Sequence, residues 1–448
     1  GDWLEQVGET DARVLADHFE HSDAVSRAIP WLVRAALAAV EAGDIEGSRL
    51  LSKQGLALGA SGADRGTLLL VSEYMWAWDS KSNLDHLREA IELLPRSSAH
   101  WWLALSTFIF CASAADAAAT IGPYLELAQS TPPGSELTGF RGLAVQSIAS
   151  GTILVGRPDI GWALLAPFDA IDEDDPRCDA VFLTRLKTAR AHLGIYSQMD
   201  GRWQLQRALD WARESTATMD AAGSASGEMT ALFVLGCAWL FLGAYAEAER
   251  ALEQSLLHSR RSGNVLVERY SQLVMAWTRV RQGRTDEVAP LLELVAGSVD
   301  LNVVHGAAAV GAELAYLRGE FAAALEGALR ATHGAAIPYR RMAWATAARA
   351  QLELGHPREA LAAVHASRDD GNVAPNLEFE IDLRTSEVRA LFALGEHERA
   401  RERLAAARRV LDDAAASITD PALQEVFLTC VSAHAGLKEL EQGSGLDF

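Results

Sequence analysis

A chain of 448 residues exceeds the roughly 250–300 at which a single hydrophobic core stops growing, so several domains or a repeat array are expected. With 49% hydrophobic and 22% charged residues, its composition is that of a folded protein and not a disordered one. A net charge of −20, with no clustered Lys/Arg, argues against a nucleic-acid partner, whose phosphates are held by basic patches.

The chain opens on Gly1 with no signal segment, and it is read as a fragment of a longer cytoplasmic protein. Residues 1–40 are expected to be junction helices that follow an absent upstream domain and run into the first repeat. Residues 41–225 carry divergent helical units, with turns at Gly43-Asp44, near Asp79 to Ser82, near Ser113 to Asp116, at Gly156-Arg157-Pro158-Asp159 and at Gly201-Arg202-Trp203. Polar breaks at Ser61 to Asp64, Thr131 to Ser135, Asp172 to Pro176, Ala222 to Gly227 and Asp369 to Asn372 read as loops. The longest uncharged stretch, Trp101 to Ala115, is shorter than the roughly 18–20 residues that span a bilayer and reads as a buried helix.

Residues 226–415 hold the clearest pattern. Five glycine turns, at Gly243, Gly283, Gly319, Gly355 and Gly395, are separated by 40, 36, 36 and 40 residues, the interval of stacked helical hairpins. Glycine ends the first helix in a left-handed conformation. Five residues later stands Ala248, Ala324, Ala360 or Ala400, with Val288 as the exception, where the two helices of a hairpin cross. A second small position lies seven residues before each turn, at Gly236, Ala276, Ala312 and Ala348, with Val388 as the exception.

Two small positions in register around a Leu-Gly turn resemble the tetratricopeptide repeat family. The resemblance implies an all-α solenoid, a right-handed superhelix of about ten hairpins. Residues 416–448 are expected to form a capping helix, from about Pro421 to Glu441, and a frayed tail.

Catalytic signatures are missing: there is no phosphate loop, dinucleotide fingerprint or kinase motif. Gly223-Ser224-Ala225-Ser226-Gly227 lacks the spacing and preceding strand of a serine nucleophile elbow and reads as a flexible loop. His18, Glu20 and His21 lack the metalloprotease spacing, and Glu396-His397-Glu398 lies in a repeat turn, so both read as solvated surface. Asp172 to Asp175 lacks the glycine and closing glutamate of a calcium loop. Cys111, Cys178, Cys237 and Cys430 are too far apart for a zinc site and read as reduced thiols. The aromatic cluster Tyr74, Trp76, Trp78, Trp101 and Trp102 reads as packing between hairpins more readily than as a partner pocket. No enzyme activity, cofactor, metal or membrane span is expected of this chain.

The tetratricopeptide resemblance further implies that the first helix of each hairpin lines a concave wall, at about 13, 10, 6, 3 and 2 positions before each turn glycine. Polar or aromatic residues so placed are Tyr270, Trp277, Arg281, Glu313, Tyr316, Arg349, Glu353, Asp382 and Arg389. They alternate in sign, which suits a peptide or polar ligand; the competing reading is ion pairing between repeats or core packing.

A closer resemblance lies in Ala16-Asp17-His18-Phe19-Glu20-His21-Ser22, Arg27-Ala28-Ile29-Pro30-Trp31-Leu32-Val33-Arg34-Ala35-Ala36, Gly43 to Gly47 and Gly55 to Ala60. These segments resemble the start of the C-terminal sensor arrays of STAND-class bacterial signalling ATPases, including chains that carry a serine/threonine kinase. It implies a non-catalytic sensor or scaffold in signal transduction, binding a protein, a peptide segment or a small-molecule inducer. The alternative is a structural self-association module.

Overall fold

The computed structural model describes all residues except 43, 74–82, 115–117, 132–136, 172–177, 223–224, 299, 334–336, 370–376 and 442–448. The described residues form 24 α-helices, three short 3-10 turns and one isolated bridge between Met199 and Arg202. Helices α1 (Asp2–Gln6) and α2 (Ala12–Glu20) lead into ten hairpins. The first five are α3 (Ala28–Glu41) with α4 (Ile45–Ala57), α5 (Gly62–Glu73) with α6 (Leu84–Leu93), α7 (Ala99–Ala114) with α8 (Ala118–Ser130), α9 (Gly139–Leu154) with α10 (Pro158–Leu165), and α11 (Ala180–Tyr196) with α12 (Leu205–Ala222). The second five are α13 (Ala225–Phe241) with α14 (Tyr245–Ser262), α15 (Val265–Arg281) with α16 (Val288–Val295), α17 (Leu301–Leu317) with α18 (Phe321–Ala331), α19 (Ile337–Glu353) with α20 (Pro357–Asp369), and α21 (Leu377–Ala393) with α22 (His397–Ala415). The chain closes with α23 (Pro421–Cys430) and α24 (Ser432–Glu441).

The five strong turns form as their residues dictate. Gly243, Gly283, Gly319, Gly355 and Gly395 have φ of 78°, 71°, 76°, 80° and 80°, a region costly for any residue with a Cβ. In each turn the next N–H donates to the carbonyl five residues back: Ala244 to Trp239, Arg284 to Arg279, Glu320 to Ala315, His356 to Gln351 and Glu396 to Leu391, at 2.8–3.0 Å. This pattern satisfies carbonyls that the helix end leaves open. Ala248, Ala324, Ala360 and Ala400 are fully buried at the crossing, as is Val288. At Gly236 a Cβ would stand 2.7 Å from Leu252 Cγ, so the small residue sets how closely α13 and α14 approach.

Several expected boundaries shift. Ser61 to Asp64, expected to be a loop, contains the start of α5, and the break at Ala222 to Gly227 shrinks because α13 begins at Ala225. The expected single capping helix is two helices, with Val431 extended between them (φ −74°, ψ 113°). Tyr74, Trp76, Trp78, the turn at Asp79 to Ser82 and the Asp172 to Asp175 run lie outside the described residues. Trp101 and Trp102 are packed edge to face at 5.2 Å and almost fully buried, in the core of hairpins two to four.

The array does not stay open. Trp277 on α15 stacks on Phe379 of α21, with ring centroids 5.3 Å apart and planes 19° apart, joining hairpin seven directly to hairpin ten. Phe241 of α13 meets the edge of Trp277 at 5.3 Å. The C-terminal helices then return to hairpins five and six. Leu205 N–H donates to Ser417 Oγ at 3.2 Å, and Tyr245 Oη donates to the Cys430 carbonyl at 3.1 Å. α24 packs on α21, and Val431 faces Gly243. One hydrophobic core runs from Ala191 to Leu437 through this closed portion.

Candidate functional site: an inner-wall cavity and a buried ion network

The residues expected on the concave wall divide into three sets. Arg281, Glu313, Arg349 and Asp382 come together, but in the interior. Arg281 Nη1 donates to Glu313 Oε1 at 2.6 Å, Arg349 Nη2 pairs with Glu313 Oε2, and Arg349 Nε stands 3.8 Å from Asp382 Oδ2. Thr346 Oγ1 also donates to Glu313 Oε2 at 2.8 Å. The side chains of Arg281 and Glu313 are 3% and 0% exposed, so they face each other and not an open groove. Trp277 is likewise core, in the stack with Phe379. Glu353 and Arg389 form a half-exposed pair at 3.1 Å, and Tyr316 lies under the Arg349 guanidinium at 4.5 Å. Tyr270 stands apart from all of these, in the wall of a cavity described below.

Sequence reasoning missed Glu378, the fifth member of the network, whose Oε1 lies 2.6 Å from Arg281 Nε. Two guanidinium groups thus face three buried carboxylates, one negative charge too many. The imbalance falls on Glu378 and Asp382: burial raises both carboxyls, and at Glu378, opposed by Arg281 and reinforced by Asp382 and Glu313, it pushes the carboxyl up to about 7. Burial also pushes at Glu313, but Arg349 and Arg281 outweigh it and hold that carboxyl at about 2.

A carboxyl whose folded pKa is raised keeps its proton where the unfolded chain has lost it, so Glu378 contributes least once pH exceeds its folded value. Between about pH 5 and pH 7.5, the native protein should therefore lose stability relative to Glu378→Gln by on the order of 2 kcal/mol. Denaturant melts of both proteins at the two pH values check this: parallel profiles would place the shared proton elsewhere.

The open part of the inner wall lies nearer the N-terminus. Six first helices, α7, α9, α11, α13, α15 and α19, converge on a cavity of about 120 Å³. Its apolar walls include Leu143, Ile153, Phe233, Val234, Leu266 and Tyr339. Its polar groups are few and tied down. Arg185 Nη1 donates to Gln146 Oε1 at 2.9 Å, and Ser150 Oγ lies 3.0 Å from His192 Nδ1. Burial lowers the His192 pKa to about 4, so the ring is neutral near neutral pH. Asn264 caps α15 by accepting from Val267 N–H at 3.0 Å.

Tyr270 is buried with its hydroxyl beside Asp300 and Asn302, and burial raises its pKa well above the usual phenol value. A wider, shallower depression of about 360 Å³ lies by Trp102 and Thr131, but its guanidinium, Arg141, is already stacked on Trp102 at 3.9 Å. No group of three metal-ligating side chains is found among the described residues, and no described helix is long and apolar enough to cross a membrane.

This architecture defines a tetratricopeptide-like α-solenoid. Among solved structures it is similar to a Rap protein complexed with Competence and Sporulation Factor, with TM-score 0.50 and 11% identity over 77% of this chain and 99% of that one. A weaker likeness, TM-score 0.40 at 13% identity, is to a STAND ATPase with a tetratricopeptide repeat sensor from Pyrococcus horikoshii; the match covers 91% of this chain and 55% of that one. NprR in complex with its cognate peptide NprX gives TM-score 0.38 at 12% identity, over 77% of this chain and 86% of that one. No family model and no curated protein matches the sequence.

Proposed function

We propose that the chain is a regulatory binding array that takes a peptide or protein segment on the inner wall around the cavity. The observation that carries this reading is the convergence of six first helices on one open, aromatic-lined recess, while the inner wall around Trp277, Arg281, Glu313 and Arg349, at the far ends of α15, α17 and α19, is filled by its own side chains. Concave, mostly apolar recesses with a few placed polar groups are where binding energy concentrates. The Rap protein of similar fold was solved in complex with Competence and Sporulation Factor, which agrees with a binding role. The resemblance of the first 60 residues supports a place downstream of a signalling ATPase or kinase module, whose assembly the array would control.

Peptide display against the chain tests the first part. Peptides enriched on the native protein should be lost, by tenfold or more in retention, when Phe233, a half-buried wall residue, is replaced by Asp in a variant of unchanged helicity. If no peptide is enriched, or the same ones are kept by Phe233→Asp, the inner-wall reading is wrong.

A further inference from the structure

We propose that closure of the array is coupled to a single proton: the buried ion cluster takes it up when α21 docks on α15 and releases it to water when the two helices part. The cluster lies on the seam itself. Trp277 and Arg281 stand about one turn apart on α15, and Glu378 and Phe379 are neighbours on α21, so the aromatic stack and the ion contact sit side by side. Glu313 on α17 and Arg349 on α19 complete the bridge from hairpin seven to hairpin ten.

Charge balance in the closed form requires the proton. The side chains of Arg281, Glu313, Glu378 and Asp382 are at most 8% exposed, too dry for an uncompensated charge. The two guanidinium groups keep their protons, so the surplus negative charge is removed by protonating a carboxylate. Glu313 accepts from Arg281, Arg349 and Thr346 and stays ionised. Glu378 is held less well: its Oε1 stands 2.6 Å from Arg281 Nε, yet neither atom makes a hydrogen bond, and Asp382 Oδ2 makes none either.

The groups acting on Glu378 are Arg281 from α15, Glu313 from α17, Arg349 from α19 and Asp382 from α21 itself, with the Tyr245 phenol of α14 kept neutral by burial. The helices packed on α21 direct their other charges away from it. Arg341 of α19 pairs with Glu380, as does Arg384, while Arg368 of α20 and Arg403 of α22 pair with Glu387. On α24, Lys438 lies near His434, which is neutral and bonded to the Phe427 carbonyl.

Closed, the Glu378 carboxyl is raised to about 7; opened to water, it returns to the ordinary carboxylate range. The closed form is therefore favoured below that value and loses its preference as pH rises through it. α15 and α19 also carry the recess residues Leu266, Tyr270 and Tyr339, so opening the seam changes the spacing of the recess walls. That consequence rests on the binding-array reading; the proton-coupled seam does not.

Small-angle scattering and circular dichroism on the full chain, from about pH 5.5 to about pH 8.5, test the proposal. The native radius of gyration should rise reversibly through about pH 7 at unchanged helicity. Glu378→Gln, which has no proton to lose there, should stay compact throughout. Asp382→Asn removes the same surplus charge and should behave alike, so it serves if Glu378→Gln does not fold. A native radius that stays constant overturns the proposal. So does a folded Glu378→Gln that expands along the native curve, which would move the proton to Asp300, the carboxyl that caps α17 and is raised by burial to about 6. No ligand enters the measurement, so failure here leaves the peptide reading standing, and a failed peptide selection leaves the proton-coupled seam standing.

Discussion

Glu313→Ala should lower the unfolding free energy by about 3–5 kcal/mol. The carboxylate is fully buried, accepts from Arg281, Arg349 and Thr346, and sits on α17 between α15 and α19. Removing it leaves two guanidinium groups in the interior with only Glu378 and Asp382 to answer them. Those two carboxylates still balance the charge, so the cost arises from the buried donors of Arg281, Arg349 and Thr346 left without their acceptor, which is why it exceeds the roughly 0–1 kcal/mol of a surface pair.

The comparison is Arg389→Ala, which breaks the half-exposed pair with Glu353 and should cost about 1 kcal/mol or less. Chemical denaturation with both variants measures the difference. Equal losses would mean that the interior pairs are solvated. Because Glu313 is held at about 2 against about 4.3 in an unfolded chain, its contribution is complete above the unfolded value. It is lost as pH falls toward the folded one.

Trp277→Ala should cost a similar amount, about 3–5 kcal/mol, and should also change the shape of the molecule. The indole is 2% exposed between Phe241 and Phe379, and it bridges hairpins seven and ten. Its loss removes the aromatic stack that joins α15 to α21. Small-angle scattering should report a larger radius of gyration for the variant under native conditions. A stability loss without expansion would show that the C-terminal helices alone hold the turn closed.

The hairpins of residues 226–415 are legible in the sequence because their rules are local. A left-handed turn selects glycine, and a close helix crossing selects alanine, so both leave marks at fixed offsets. The break at Val431 left no such mark, since neither glycine nor proline stands there. Closure was illegible for another reason. It depends on small rotations accumulated over several hairpins, and nothing local in Trp277 announces that its partner is Phe379.

The candidate site was partly within reach. Applied to Gly156, the same inner-wall offsets of 13, 10, 6, 3 and 2 give Leu143, Gln146, Ser150, Ile153 and Leu154, and all five line the cavity. Applied to Gly243, the first two give Thr230 and Phe233, which also line it. The polar positions of the later repeats, by contrast, alternate in sign between neighbours, which is the mark of ion pairs within the protein. Arg281, Glu313 and Arg349 fall on three successive first helices, and such a sequence of charges satisfies itself.

The return of the last helices to hairpins five and six has a consequence for how the chain folds. An open solenoid is nearly one-dimensional: each unit meets only its neighbours, nucleation can begin anywhere, and trimming an end is felt locally. Here the hydrogen bond from Leu205 to Ser417 spans 212 residues, and the one from Tyr245 to Cys430 spans 185. Contacts of that separation raise the entropic toll of closing the chain before any reward arrives, so the final docking belongs late in folding and ties the fate of both halves together. During synthesis, hairpins five and six emerge long before their C-terminal cover exists, and until the last helix leaves the ribosome they carry an uncovered apolar edge.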